Sequence, residues 1–297
     1  MIQPGPAPWM ERASLVERAA KAVVLALIVV VVVYPFLQIL STSLADAKDI
    51  AEGGGLVLWP RNPTLNAYRS IFEGGIITRA ILVSLGVTTV GTLLSLAATI
   101  AMAYGLSRPI VGGRVILLIA LFTLLFSPGI IPNYLLVKQV GLLNTYGSLI
   151  LPVLISAFNL VVLRQLFMSI PQELLDSAKI DGAGDLGILF RIVLPLSKAV
   201  LAVIALFYAV AYWNAFFNAL MYLNDSSLWP LQLVLRLYVL QGAHLPGSMS
   251  GAGELETVPE QAIQMAVVII AIIPILILYP FLQKYFVRGV LTGAIKG

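Results

Sequence analysis

Between Glu173 and Leu196 the segment ELLDSAKIDGAGDLGILFRIVLPL carries four carboxylates, two basic residues and three glycines, in a chain that is only 11% charged. Paired carboxylates can do acid–base work or hold a metal. Asp181 and Asp185 are the close pair here, and Gly182 puts a turn where a shared helix face would have to run. Cysteine is absent and His244 is the single histidine, which excludes a thiolate nucleophile, a disulfide and a multi-histidine metal site. No G-x-x-x-x-G-K-[ST] loop occurs; the run Gly53-Gly54-Gly55 has no lysine behind it. No catalytic residue and no metal ligand is assigned. The other group that could do chemistry is AYWNAFFNALMY, with Tyr212, Trp213, Asn214, Phe216, Phe217 and Asn218. Aromatic faces stack, and Asn214 and Asn218, at i and i+4, can offer amides from one helical face. That is binding chemistry. The plainer alternative is helix packing with an aromatic belt.

The elements that must position these groups are membrane helices. Of 297 residues 60% are hydrophobic, against about 45–50% in an ordinary soluble domain. About 20 apolar residues cross a bilayer core. Six segments qualify: Ala22–Leu40, with Pro35 as a kink, and stretches near Ala80–Tyr104, Val115–Phe126, Leu149–Phe167, Ala199–Tyr222 and Ile263–Tyr285. The third is short and continues into SPGIIPNYLLV, where Pro128 and Pro132 break it. The first is longer than a signal-peptide core and reads as a retained span. The expected fold is an all-α, multi-pass membrane protein of six spans.

Six spans put both termini on one side. With the termini cytoplasmic, twelve of the 18 basic residues fall on inner segments and six on outer ones, as the positive-inside rule requires. The basic character therefore reports topology rather than nucleic-acid binding. The charged central segment then lies in the cytoplasm, between spans four and five. Residues 41–79 and 223–261 are external loops. NDSSLWPLQLVLRLYVL opens the second with a short helix, along the interface or packed in protein, and GAHLPGSMSGAGELET, with His244, ends it flexibly.

Within the central segment, Ser169 and Pro171 suit a helix start, and Glu173 and Asp176 complement its dipole. Ile170, Leu174, Ser177, Ala178 and Asp181 share one face. Asp181-Gly182 ends the helix, and a second piece runs over Asp185–Val193 and closes before Pro195. The result is helix, glycine turn, helix, lying flat on the cytoplasmic face. Ser177, Ala178, Gly182, Ala183 and Gly184 let another surface approach closely. A solvated connector is the bland alternative, but it would need neither the helix nor the sharp stop.

Asp176-Ser177-Ala178, Asp181-Gly182-Ala183 and Leu194-Pro195-Leu196 together resemble the EAA loop of ABC importer permeases. Asp176 stands for Glu and Ser177 for Ala in that pattern; the serine looks like a subgroup of carbohydrate importers that take large oligosaccharides or polysaccharides. YPFLQILSTSL, NPTLNAYRSIF and the closing YFVRGVLTGAIKG also look like the maltose-type branch, so the resemblance covers nearly the whole chain. It implies one type I importer transmembrane domain over residues 1–297, with residues 171–197 as its coupling loop. It further implies that Glu173, Asp176, Ser177, Ala178, Asp181, Gly182 and Ala183 dock in a cleft of an ATP-binding subunit. The implied partners are a second homologous permease, two ATPase copies that use ATP and Mg, and an external solute-binding protein. The chain itself binds no cofactor and would sit in the inner (plasma) membrane. A sugar, including an acidic polysaccharide such as alginate, is the implied cargo, and Tyr212, Trp213, Asn214 and Asn218 are then pathway residues. Thr88, Thr89, Thr92, Asn133 and Tyr134 are further lining candidates, and Gly86 and Gly91 are close-approach residues. The alternatives are a permease for another substrate class, a membrane-embedded sugar transferase and a secondary transporter; span interiors nearly free of charge argue against the last.

Overall fold

A computed structural model describes residues 14–55, 57–73, 75–241 and 258–294, with side chains through 238 and from 258 to 280. No strand occurs among the described residues. They fall into two compact units, one among residues up to 70 together with 258–269, the other among residues 71–241 together with 270–294.

In the first unit α1 (Leu15–Ser43) begins at a reciprocal cap in which the Ser14 hydroxyl accepts from the Glu17 N–H and the Glu17 carboxylate from the Ser14 N–H. It is apolar all round, and its side chains from Leu15 to Leu37 are exposed, the surface expected of a helix meant for lipid or another subunit. Pro35 lies inside it without ending it. Its polar end organises the loop that follows. Ser41 Oγ donates to the Leu58 carbonyl at 2.7 Å, Thr42 Oγ1 accepts from the Val57 N–H at 3.0 Å, and Ser43 Oγ lies 2.8 Å from the Tyr68 hydroxyl. α2 (Ala47–Glu52) is capped by Asp46, and Asp49 Oδ2 accepts from the Arg61 N–H at 2.8 Å. α3 (Asn66–Glu73) follows. The first long loop is thus a hydrogen-bonded structure rather than a slack connection.

The second unit is built around α4 (Ile76–Leu106), whose stripe Ala80, Ser84, Val87, Gly91, Ser95, Thr99 and Ala103 is buried. Small residues at this spacing let partner helices approach closely. α5 (Gly113–Leu125) stops at Phe126, and α6 (Ile130–Gln139) restarts after Gly129. The break therefore belongs to Ser127-Pro128-Gly129; Pro132 sits in the first turn of α6, where its missing N–H costs nothing. α7 (Gly147–Ile150) runs into a 3-10 turn at Leu151–Val153, and α8 (Ala157–Met168) leaves it at 51°. α9 (Gln172–Ile180), α10 (Asp185–Ile188), a π-helical turn at Leu189–Val193 and α11 (Leu194–Leu196) make up the central segment. Pro195 does not close this piece, because the wide turn before it relieves the clash of its ring with the preceding carbonyls.

α12 (Lys198–Trp213) then departs at 85° from the Asp185–Leu196 piece, α13 (Phe216–Tyr222) follows a break, and α14 (Leu231–Gln241) packs in protein against α4 and α13. Its Leu231 N–H donates to Ser84 Oγ at 2.8 Å. α15 (Glu260–Ala294) is continuous through Pro274 and Pro280. His244 and the glycine-rich end of the second loop lie outside the described residues.

α1, α4 and α15 as far as Pro280 are long and apolar enough to cross a membrane, and the two bent pairs raise the number to five; α5 is a shorter apolar helix. Three of the six expected spans are thus interrupted rods rather than straight ones, at Pro128, at Leu154–Ser156 and at Asn214–Ala215.

Candidate functional site

Two places stand out in the second unit. The first is the central segment. α9 ends in a Schellman cap: the Ala183 N–H donates to the Ala178 carbonyl at 2.9 Å and the Gly182 N–H to the Lys179 carbonyl at 3.0 Å, with Gly182 at φ +83°. That left-handed position is open to glycine and strained for any other residue. The Ser177 hydroxyl turns back onto the Glu173 carbonyl at 2.7 Å, and the Asp176 carboxylate accepts from Gln172 Nε2 at 3.0 Å, 3.8 Å from Lys179 Nζ.

Leu175, not Leu174, is the residue α9 buries; it joins the core with Ile188, and Ile170, Ala178 and Ala183 pack partly against it. Leu174 and Ile180 are 48% and 86% exposed. Glu173, Asp176, Ser177, Asp181 and Gly182 are exposed with them. The helix is held from behind by Leu175 and keeps a mixed apolar and acidic front uncovered. Further on, the Tyr104 hydroxyl at the end of α4 donates to the Asp185 carbonyl at 3.0 Å, Arg108 Nη2 donates to that hydroxyl at 3.2 Å, and Arg164 Nε donates to the Leu106 carbonyl at 2.9 Å. The segment is fastened to α4, which Arg164 in turn ties to α8, and is not hung between spans.

The second place is a half-open hollow of about 550 Å³ where two helix interruptions meet, the α7–α8 bend and the α12–α13 break. Ser156, Phe158, Asn159, Tyr208, Tyr212 and Asn218 are among its lining residues, as is Asn214. The helical break separates Asn214 from Asn218, so they do not share one helix face; Asn214 Nδ2 donates to the Val210 carbonyl at 2.9 Å and finishes α12. Tyr212 closes the wall: its hydroxyl is 2.7 Å from Ser95 Oγ, and its ring sits where a Cβ on Gly91 would come within 2.9 Å. Trp213 points away, buried, with Nε1 donating to the Ala271 carbonyl of α15 at 3.0 Å. Gly86 has open space around it, so close approach belongs to Gly91. Thr88 and Thr92 hydroxyls are buried, and Tyr134 stacks on Tyr222 with centroids 6.4 Å apart.

Asn159 and Tyr208 went unnoticed in the sequence. The Tyr208 hydroxyl is 2.7 Å from Thr99 Oγ1 and accepts from the Ser156 N–H at 2.9 Å, which ties α4, α8 and α12 at one point. Tyr208 and Tyr212 lie four apart, as do Ser95 and Thr99, so the pairing of the two helices was legible in principle. Asn159 gave no such signal, because only the bend before α8 turns it into the hollow. Among the described residues no group of three His, Cys, Asp or Glu side chains is placed to hold a metal.

A chain of broken apolar spans, with a fastened charged segment and no reactive cluster among its described residues, has the build of a membrane permease. The chain belongs to the family of binding-protein-dependent transport system inner membrane components, which it matches over residues 18–292. It is 47% identical over 266 residues to the polygalacturonan/rhamnogalacturonan transport system permease protein YtcP of Bacillus subtilis (strain 168), covering 89% of this chain and 93% of that one. It is 28% identical over 278 residues to the arabinooligosaccharides transport system permease protein AraQ of Halalkalibacterium halodurans, covering 92% and 94%. Among solved structures it superposes, with a TM-score of 0.86 and 30% identity over 94% of this chain and 100% of the other, on a chain of a bacterial ABC transporter involved in the import of the acidic polysaccharide alginate.

Proposed function

We propose that this permease forms half of the translocation pathway of an ATP-driven importer for oligosaccharides or polysaccharide fragments, uronic-acid-containing chains included. The single observation that carries the coupling part is the central segment: a rigid helix anchored from behind by Leu175, stopped at Gly182, and open in front. A short helix of this kind suits helix-in-groove docking. Glu173, Asp176, Ser177, Ala178, Asp181, Gly182 and Ala183 are the residues assigned to contact with a separate ATP-binding subunit, which uses ATP and Mg. Two copies of that subunit, a second homologous permease and an external solute-binding protein complete the assembly.

In this reading residues 1–297 are one transmembrane domain in the inner (plasma) membrane, with six spans and cytoplasmic termini. α5 with α6 supplies the third crossing. Residues 171–197 face the cytoplasm, and residues 41–79 and 223–261 face outward. Tyr212, Asn214 and Asn218 line the pathway, while Trp213 supports it by bonding α12 to α15. The uronic-acid class rests on the polygalacturonan relative and the alginate transporter, and the neutral class on the arabino-oligosaccharide relative.

The test is ATP hydrolysis by the complex reconstituted in lipid with its binding protein, challenged with oligogalacturonates, alginate oligosaccharides and arabino-oligosaccharides. Stimulation several-fold by at least one of these is expected. No stimulation by any of them, with a peptide or an inorganic ion stimulating instead, would reject the sugar reading.

A further inference from the structure

The hollow holds two carboxamides that the rest of the protein does not use, and that of Asn159 belongs to the more buried residue. Asn159 is 4% exposed and lines the cavity, yet its carboxamide makes no hydrogen bond. Its backbone N–H is taken by Ser156 Oγ at 3.4 Å; its side chain is not. The polar groups around it are spent. Tyr208 is bound to Thr99 and Ser156, Tyr212 to Ser95, and Asn214 to the Val210 carbonyl. The carboxamide of this largely buried residue is left unpaired where the hollow reaches it, and is free to bond something that enters. Two more features converge there. The first-turn N–H groups of α8 at Ala157 and Phe158 have no preceding helical carbonyl to bond. Asn218, half-buried on the same hollow, has a carboxamide without a partner.

The chemistry of the wall narrows the ligand. Phe158, Phe207, Tyr208, Phe216 and Phe217 line the hollow, and no charged side chain does. Its volume of about 550 Å³ falls within the roughly 300–1,000 Å³ of small-molecule sites, which combine an apolar lining with a few convergent polar groups. Aromatic faces can cover a sugar ring, and amides can donate to and accept from hydroxyls. No cation is among the described lining residues; the Arg236 guanidinium instead stacks on the Phe216 ring, 4.5 Å from its centroid.

We propose that Asn159, supported by the start of α8 and by Asn218, forms a subsite that holds hydroxyl groups of one sugar residue in transit, and that this subsite reads hydroxyls rather than charge. The proposal rests on the sugar-import reading above. It assigns charge selection to other parts of the assembly, so that uronic acid and neutral rings pass this point alike.

The experiment measures uptake of oligogalacturonate and of its methyl ester by the full complex in proteoliposomes, for the parent and for Asn159→Ala, Asn159→Ser and Asn218→Ala. Asn159→Ala is expected to lower uptake of both sugars at least fivefold with a melting temperature no lower than the parent's, because an unpaired polar group has been removed. Asn159→Ser, which keeps one hydroxyl, is expected to recover part of that loss, and Asn218→Ala to show a smaller loss. Three results would overturn the subsite: uptake within twofold of the parent in Asn159→Ala, a loss accompanied by a lowered melting temperature, or a loss confined to the acidic sugar. Failure of the parent complex to take up these two sugars and the alginate and arabino-oligosaccharides named above would instead sink the sugar class itself, and the subsite with it.

Discussion

The hydroxyl of Tyr104, on the last turn of α4, donates to the backbone carbonyl of Asp185 at 3.0 Å. The same helix carries Thr99 against Tyr208 and Ser95 against Tyr212, each at 2.7 Å. One rod therefore touches the central segment at its end and the hollow along its length. If the segment docks on an ATPase, α4 is the element that carries its displacement to the hollow. Tyr104→Phe removes the tie, at about 0.5–1.5 kcal/mol for a neutral hydrogen bond, and with it the acceptor of Arg108 Nη2. The variant is expected to reach the membrane normally, while the coupling of ATP hydrolysis to uptake in proteoliposomes falls severalfold. Parental coupling would mean that Tyr104 only packs.

Gly182 is a backbone requirement rather than a spatial one. Nothing stands within 4 Å of the Cβ it lacks, and its φ is +83°. A left-handed conformation costs an L-residue roughly 1–2 kcal/mol, more for a β-branched one. Gly182→Val is therefore expected to unseat the end of α9 and reduce uptake more than tenfold, with Gly182→Asn far milder. Uptake assays at equal membrane levels check the order.

Gly91 and Gly86 separate space from backbone on one helix. A Cβ at Gly91 would meet the Tyr212 ring at 2.9 Å, and one at Gly86 meets nothing. Overpacking of this kind costs about 1–3 kcal/mol. Gly91→Ala is expected to lower the melting temperature of the detergent-solubilised protein by several degrees, and Gly86→Ala to leave it unchanged or slightly raised.

Trp213 and Tyr212 are neighbours in sequence with opposite duties. Trp213 is buried against Ala271 of α15 through its indole N–H, so Trp213→Phe removes that hydrogen bond together with part of the buried indole and should destabilise by about 1–3 kcal/mol. Sugar preference is expected to stay the same. A changed preference at full stability would place Trp213 in the pathway after all.

Much of this was legible in the sequence, and the misses have physical causes. The apolar runs marked the long apolar helices, and Asp181-Gly182 marked the sharp stop, because glycine at a left-handed position is nearly obligatory. The breaks within spans four and five were not legible. Ser156 and Asn214 look like ordinary polar punctuation, and only the fold shows that both interruptions open on one hollow. Reading Asn214 and Asn218 as a single face assumed an unbroken helix. Which of Leu174 and Leu175 packs inward was not legible either: adjacent apolar residues on a short helix leave its rotation undetermined until packing fixes which one is buried. The hydroxyl pairs of α4 with α12 had the right spacing, but four-residue spacing alone does not name the partner helix.

The central claim is that the exposed front of α9 is a docking face for an ATP-binding subunit. The chain has no cysteine, so Ser177→Cys supplies a unique thiol on that front. The measurement is recovery of the ATP-binding subunit with the permease, and uptake in the reassembled complex, before and after labelling that thiol with a bulky maleimide. The account predicts normal association and uptake for the unlabelled variant, and loss of both once the label is attached. Full recovery of the ATPase and parental uptake with the label in place would contradict it.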